Sequence, residues 1–381
     1  MKRKILCLTG TRADYPRIKS VLKKIESDSR FELYLVVTGS HLLKGYGNSF
    51  KEVQKDKYKN IIKSKMYVGN FNNPYGMSIS ASNLSKNFSK ILNKIKPDIV
   101  LLTVDRVETL AAAMSASLMN FPIAHVQGGE ITGTIDESIR HAVTKLSHLH
   151  FVANRDAERR IIKLGEIKKN VFNVGCPYID IIKNQKLKSK KELFEKYKID
   201  INKEIILLTL HSVTTEYKKS NKHIDIVIKA LYKFKDFQII TFYSNADAGG
   251  KEIIKKINKS YKFMKILPNV DSVDFLSFMK YAKFMIGNSS AGIREAPSFQ
   301  LPVINIGNRQ NGRMKSFNVI DVDFNYKKII LKINYILKNA NFKKRLKNLV
   351  NPYGAGKASN KIVKILHKQK LENLIQKIIQ Y

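Results

Sequence analysis

The chain has 381 residues, a mass of 43.6 kDa, 44% hydrophobic residues and a formal charge of +38, from 69 Lys and Arg against 31 Asp and Glu. That length and apolar content fit two globular domains and exclude a disordered chain, and no apolar run approaches the roughly 20 residues that a membrane-spanning helix needs. The charge does not indicate nucleic acid, because 56 of the basic residues are Lys spread over Ile- and Asn-rich helical stretches, without the Arg clusters or aromatic-interleaved stripes of nucleic-acid readers.

A cytoplasmic protein is expected, since MKRKILCLTG leads straight into a strand pattern and not a signal peptide. Cys7 and Cys176 sit beside apolar runs and read as small hydrophobes. Arg is scarce, with 13 in the chain, so its placement is informative. Arg12, Arg17, Arg106, Arg140, Arg294, Arg309 and Arg313 all fall in short motif segments, and the planar guanidinium fork suits phosphate.

In chain order, the apolar run ILCLTG ends at Gly10, and a helical pattern through Val21, Leu22 and Ile25 follows Asp14. A strand, tight turn and helix N-terminus in that order offer free N–H groups and partial positive charge to a phosphate, with Arg12 and Arg17 adding full charges. The turn lacks the G-x-G-x-x-G spacing of a standard dinucleotide site. A second strand follows at 31–38, then the loop GSHLLKGYGN, whose His41 either faces a cleft or is an ordinary loop histidine. Helical periodicity over 78–95 precedes the strand IVLLTV, which ends at Asp105-Arg106; an aspartate there serves a ligand or caps the Ala-rich helix 107–119.

The strand 122–126 feeds HVQGGEITGTIDESIRHAVTKLSHLH, residues 125–150. This stretch holds Gln127, Glu130, Asp136, Glu137, Arg140, Lys145 and four of the eight histidines of the chain. Few structural cores need such a set. Short strands at 151–153 and 171–174 close the first alternation, a Lys-rich linker with a surface helix covers 183–203, and the alternation restarts at IILLTL, 205–210. Further strands are expected at 237–243, 263–267, 284–287 and 302–306. In this half His211 follows a strand within LHSVTTE, and SNADAGG at 244–250 is a polar strand-to-helix loop. In IGNSSAGIREAP, Asn288, Ser289 and Ser290 precede a helix start, an arrangement suited to an anion, and Glu295 one turn on suits a ribose diol; Arg309 and Arg313 lie on a Gly-flanked loop.

Two successive β/α sets predict an α/β protein of two Rossmann-like, doubly wound domains with a central cleft. The expected bounds are 1–180 and 181–365, with an amphipathic helix over 357–381 whose end, 366–381, is placed to bridge the domains. No Cys/His spacing suggests a metal, and no cofactor is expected.

Five ordered segments, GTRADY at 10–15, VDRVETLAAA at 104–113, the stretch 125–150, HSVTTE at 211–216 and IGNSSAGIREAP at 286–297, resemble the hydrolysing UDP-N-acetylglucosamine 2-epimerases of sialic acid pathways, over roughly residues 4–365. The resemblance implies a glycosyltransferase-B-like fold, and conversion of UDP-N-acetylglucosamine and water to N-acetylmannosamine and UDP through a glycal. It also implies a UDP-sugar substrate and a homodimer, without nucleic acid or membrane partners. A sister branch acts on a nucleotide-linked 2,4-diacetamido-2,4,6-trideoxyhexose, and UDP-sugar glycosyltransferases share the two-domain form. By position, Asp105 with Asp136 or Glu137 are the implied catalytic carboxylates, Arg140 and His211 hold or discharge the diphosphate, and Arg12, Ser289, Ser290, Glu295, Arg309 and Arg313 bind UDP. Arg106 is a further substrate contact. Relatives commonly carry a carboxylate where Gln127 stands, so either the amide positions the acetamido sugar or Glu130 takes over the proton work. Pro16 stands where a hydroxyl residue often follows the Ala-Asp-Tyr run.

Overall fold

Strands in this chain are short runs of Ile, Leu and Val whose two faces are both apolar, the pattern of a parallel sheet covered by helices on either side. The computed structural model describes residues 2–11, 14–43, 49–71, 73–131, 135–244, 249–259, 261–268, 270–372 and 374–380, with the side chains of 135, 214 and 215 left aside. The chain divides into two units, Met1–Ile181 with Tyr353–Tyr381, and Ile182–Pro352.

In the first unit the strands are β1 (Arg3–Thr9), β2 (Phe31–Val37), β3 (Asn60–Lys63), β4 (Ile99–Thr103), β5 (Ile123–Val126), β6 (Leu149–Val152) and β7 (Val171–Asn173). They pair in parallel in the order β3-β2-β1-β4-β5-β6-β7. Alternation along β1 sorts the core. Ile5 and Cys7 pack on one face with Ile18 and Leu22 of the Tyr15–Glu26 helix, whereas Leu6 and Leu8 pack on the other with Leu84 and Phe88 of the Pro74–Ile95 helix and Ala112 and Ala116 of the Val107–Leu118 helix.

The second unit repeats the plan with β8 (Ile205–Thr209), β9 (Gln238–Phe242), β10 (Met264–Leu267), β11 (Ala282–Gly287), β12 (Val303–Ile306) and β13 (Val319–Val322), parallel in the order β10-β9-β8-β11-β12-β13. Each sheet reverses its direction of growth beside its first strand, between β1 and β4 and between β8 and β11. In open α/β sheets the carboxyl ends of the strands at such a switch point are where ligands bind. Gly10 and Asp105 follow the switch strands of the first sheet, and His211 and Asn288 follow those of the second.

Two features depart from the sequence expectation. The edge strands β3 and β13, each four residues, went unpredicted. The C-terminal helix spans Ala358–Lys368 only, and the chain from residue 353 onward belongs to the first unit, where the sequence reading carries the second domain to 365. Asp180 receives the helix start, accepting from the N–H groups of Ala358 at 2.9 Å and Ser359 at 2.6 Å. Ile362, Val363 and Leu366 then join the core beneath the Tyr15–Glu26 helix. Beyond Lys368 the apolar spacing persists, but Leu371 and Leu374 pack into that core without helix. A further turn or two of isolated helix is marginal, and tertiary packing decides.

Candidate active site

The ends of β4 and β5 are both turned by residues in the left-handed region. Val104 has φ +57° and Gln127 φ +66°, conformations that side chains other than glycine adopt rarely and that cluster at functional sites. Neighbouring strands enforce them. The Val104 N–H donates to the Val126 carbonyl at 3.0 Å and the Gln127 N–H to the Phe151 carbonyl at 2.8 Å. The turn at Val104 presents Asp105, which is 9% exposed. From the Ile135–Leu146 helix Arg140 reaches back to it, Nη2 donating to Asp105 Oδ2 and Nη1 to the carbonyl of Glu130. Burial lowers the Arg140 pKa, with Asp105, Glu137 and Asp136 pulling the other way.

Asp136 and Glu137 occupy the first turn of that helix, where negative charge is favoured. Asp136 acts on Arg106, whose pKa ends up raised: burial works against this, and Glu108 and then Asp136 outweigh it. Glu137 faces His141 at 3.7 Å, an i,i+4 pair. Glu130 is buried, its carbonyl taken by Arg140. Gln127 bridges two distant elements, Oε1 accepting from Arg17 Nη1 at 3.2 Å and Nε2 donating to Cys176 Sγ at 3.3 Å.

The turn after β1 differs from its expected use as a phosphate cradle. Asp14 takes its donors, accepting from the N–H groups of Gly10 at 2.9 Å and Thr11 at 3.0 Å and from the Thr9 hydroxyl at 2.8 Å. Arg12, expected to bind UDP, lies outside the described residues, and Arg17 is turned to Gln127. His41 is a core histidine, its Nε2 3.1 Å from Thr9 Oγ1 and its Nδ1 2.8 Å from Ser49 Oγ. Glu108, which the sequence reading passed over, lies fully buried against this turn; a Cβ on Gly10 would come within 2.8 Å of its Cγ. Burial raises the Glu108 pKa, with Arg106 opposing. Its signal was the position three residues after Asp105, on the inner face of the helix start.

At the switch point of the second sheet Asn288 organises the loop ends. Its Oδ1 accepts from the His211 N–H at 2.7 Å and its Nδ2 donates to the His211 carbonyl at 2.8 Å. Its own carbonyl accepts from Arg309 Nη1 at 3.1 Å and Gln310 Nε2 at 2.8 Å. Gly287, at φ +135°, allows the approach, since a Cβ there would lie 2.1 Å from the Thr209 carbonyl oxygen. Burial, then Arg309, lowers the His211 pKa to about 3, so the ring is neutral at pH 7 and offers a hydrogen bond, not a charge. Ser289 and Ser290 are half-buried on the turn into the short Ala291–Arg294 helix, Ser289 Oγ accepting from the Ala291 N–H at 3.3 Å, and Glu295 is buried behind them. Arg313 is half-buried on the loop after β12. Most of the loop 244–250 lies outside the described residues.

Among the described residues no group of three or more His, Cys, Asp or Glu side chains is placed to hold a metal ion, and no helix is long and apolar enough to cross a membrane. Residues 23–367 match the family described as UDP-N-acetylglucosamine 2-epimerase. The chain belongs to that family. It is 38% identical over 332 residues to the UDP-N-acetylglucosamine 2-epimerase of Neisseria meningitidis, covering 86% of each chain. It is 36% identical over 369 residues to the hydrolysing UDP-N,N'-diacetylbacillosamine 2-epimerase of Legionella pneumophila, covering 96% of each. Among solved structures, a Neisseria meningitidis UDP-GlcNAc 2-epimerase bound to UDP-GlcNAc superposes with a TM-score of 0.81 at 20% identity, covering 96% of this chain and 100% of that one. The glycosyltransferase-B-like fold of the chain is therefore the expected one.

Proposed function

We propose that this epimerase is of the hydrolysing kind and converts UDP-N-acetylglucosamine and water to N-acetylmannosamine and UDP. The observation that carries the reading is the Asp105–Arg140 pair at the end of β4, with Asp136 acting on Arg106 beside it. The reaction removes the C2 proton and expels UDP from C1, leaving a glycal; water then adds at C1 while a proton returns to C2 on the opposite face. Such chemistry needs one base, one acid and cations facing the leaving group. We assign proton transfer to Asp105 and to Asp136, Glu137 or Glu130, since the amide of Gln127 has no titrating proton and is engaged by Arg17 and Cys176. Arg12, Arg106, Arg140 and neutral His211 attend the diphosphate. Ser289, Ser290, Arg309 and Arg313 hold UDP, and Glu295 takes the ribose hydroxyls.

A second substrate has specific support. Identity to the diacetamido-sugar enzymes of Legionella pneumophila and Campylobacter jejuni, 36% and 37%, is close to the 38% for the UDP-N-acetylglucosamine enzyme. Incubation of the purified protein with each nucleotide sugar in heavy water separates the readings. UDP release with deuterium at C2 of free N-acetylmannosamine supports the first substrate; inertness with UDP-N-acetylglucosamine but turnover of the diacetamido sugar supports the second. C2 inversion with the nucleotide still attached would overturn the hydrolytic reading.

We also propose a homodimer. Ile79 and Met114, each 43% exposed, and Leu118, 78% exposed, lie on the adjacent Pro74–Ile95 and Val107–Leu118 helices. Light scattering tests this: it is expected to give twice 43.6 kDa for the wild type and a monomer for Leu118→Glu.

A further inference from the structure

We propose that His125 is a positioning residue for the Asp105–Arg140 pair, holding the left-handed turn at Val104 from one side and the Arg140 helix from the other. The imidazole is fully buried at the centre of β5. Its Nε2 lies 2.8 Å from the Val104 carbonyl oxygen. A carbonyl can only accept, so Nε2 carries the proton, and in the neutral ring Nδ1 is left as the acceptor. Thr144 Oγ1, 3.4 Å from Nδ1, is then the donor. Burial drives the His125 pKa down to about 3, which keeps this tautomer uncharged at working pH.

Each partner of the ring adjoins one half of the pair. Val104 is the residue before Asp105, and Thr144 is four residues beyond Arg140, on the same face of the Ile135–Leu146 helix. The Val104 turn is strained for a β-branched residue and needs both its peptide groups fastened. Val126 takes the N–H and His125 the carbonyl, so two successive residues of β5 fix the direction in which Asp105 leaves β4. Gly128 clears the space: a Cβ there would lie 2.8 Å from His125 Nδ1 and 3.1 Å from Thr144 Oγ1. This gives the histidine and the first glycine of the HVQGG segment a joint task that the proton-transfer assignments leave unfilled.

The catalytic part of this inference rests on the proposed epimerase reaction, and the test separates the two. The variants are His125→Phe, which fills the space without a donor, and His125→Gln, whose Nε2 can still reach the Val104 carbonyl. Val104→Gly, which adopts the turn unaided, is combined with His125→Phe. In the full-length protein His125→Phe is expected to lower kcat for UDP release roughly 100-fold with KM changed less than about 3-fold, as for an interaction that matters in the transition state. His125→Gln should retain activity within about 10-fold of wild type, and Val104→Gly should return at least about 10-fold to the Phe variant. Hydrogen exchange of the Arg140 guanidinium protons by NMR needs no substrate: His125→Phe should lose protection and His125→Gln keep it. If that protection is equal in the two variants the proposal is overturned, whatever the substrate proves to be. A folded His125→Phe with wild-type kcat, or equal losses in both variants without rescue by Val104→Gly, overturns it as well. A wild type inert on every nucleotide sugar but with the expected exchange pattern defeats the functional reading and leaves the positioning role supported.

Discussion

Arg140 donates to Asp105 with both side chains almost withdrawn from water, 4% and 12% exposed. Its second amino group holds the Glu130 carbonyl, so one guanidinium fixes the loop after β4 and the loop after β5 together. Lysine carries its donors on one nitrogen and lacks the planar fork that spans the two acceptors, so it cannot reproduce this geometry. Arg140→Lys is expected to lower kcat for UDP release about 10- to 100-fold, and Asp105→Asn about 100- to 10,000-fold, the range for loss of a general acid or base. Arg140→Met strands the Asp105 charge and should cost about 3–5 kcal/mol of stability. Initial rates and thermal melts of the three variants check this, and wild-type rates in Asp105→Asn would remove Asp105 from the mechanism.

Asn288 leads to a second prediction. Its side chain satisfies both backbone groups of His211 while its carbonyl anchors Arg309 and Gln310. Asn288→Ala leaves two part-buried peptide groups of His211 unmatched, each costing at most about 1–3 kcal/mol. UDP affinity measured by calorimetry should fall at least about 10-fold, corresponding to ~1.4 kcal/mol. Asn288→Asp, which keeps the acceptor for the His211 N–H but loses the donor, should lie between. Unchanged UDP affinity in the Ala variant would mean that His211 and Arg309 hold their places without it.

How far the sequence discloses this site depends on the range of the contacts. Asp105 and His211 are legible because each directly follows an apolar strand, and the end of a parallel strand is a position that chain order reveals. The partners of Gln127 are not. Arg17 lies 110 residues away and Cys176 lies 49 residues away, and they converge only because β1, β5 and β7 share one sheet order. The same holds for Asp14: its spacing suits a helix start, but nothing local says that it occupies the donors of Gly10 and Thr11. Val104 is the strongest instance. A valine at a strand end predicts more strand, and the left-handed turn is imposed by neighbours on β5. The tail fails for the opposite reason, because a clear helical spacing after Lys368 is overridden by the core it packs on.

Acid sensitivity follows from three histidines, of which His125 and His148 are buried and His211 is half-buried. Burial lowers the pKa of His148 to about 4 and of His125 and His211 to about 3. In the unfolded chain each protonates near pH 6.5. Between that value and the folded one the unfolded state holds the extra proton, so stability falls as pH falls, by ~1.4 kcal/mol per pH unit for each such histidine. Loss of stability should therefore begin below about pH 6.5, well before the carboxylates titrate. Melting temperature measured from pH 8 to pH 4.5 checks the slope, and a flat profile down to pH 5 contradicts rings held neutral in the folded chain.

The last prediction concerns Glu166, a carboxylate 2% exposed on the side chain and held by three cationic or polar groups, Lys377 at 2.6 Å, Lys145 at 2.8 Å and His150 at 2.9 Å. Burial alone would raise its pKa, yet the bonds from His150, Lys145 and Lys377 bring it to about 2. Lys377 lies beyond the final helix and also donates to the carbonyls of Lys145 at 2.7 Å and Ser147 at 2.6 Å, at the C-terminal end of the Arg140 helix, where a cation is favoured. Nearby, the Gln380 N–H donates to the Gly165 carbonyl at 3.0 Å. The tail is thus fastened to the helix that carries Arg140. Lys377→Met removes one of three partners of a buried charge; since two remain, the loss should be about 2 kcal/mol, below the full penalty for an unpaired buried ion. That corresponds to a melting shift of about 4–8 °C. The interaction is largely shielded from solvent, so 0.5 M salt, for which screening of exposed charges is nearly complete, should leave most of the shift in place. A double-mutant cycle with Glu166→Gln isolates the pair, and additive effects of the two substitutions would show that Lys377 and Glu166 do not couple.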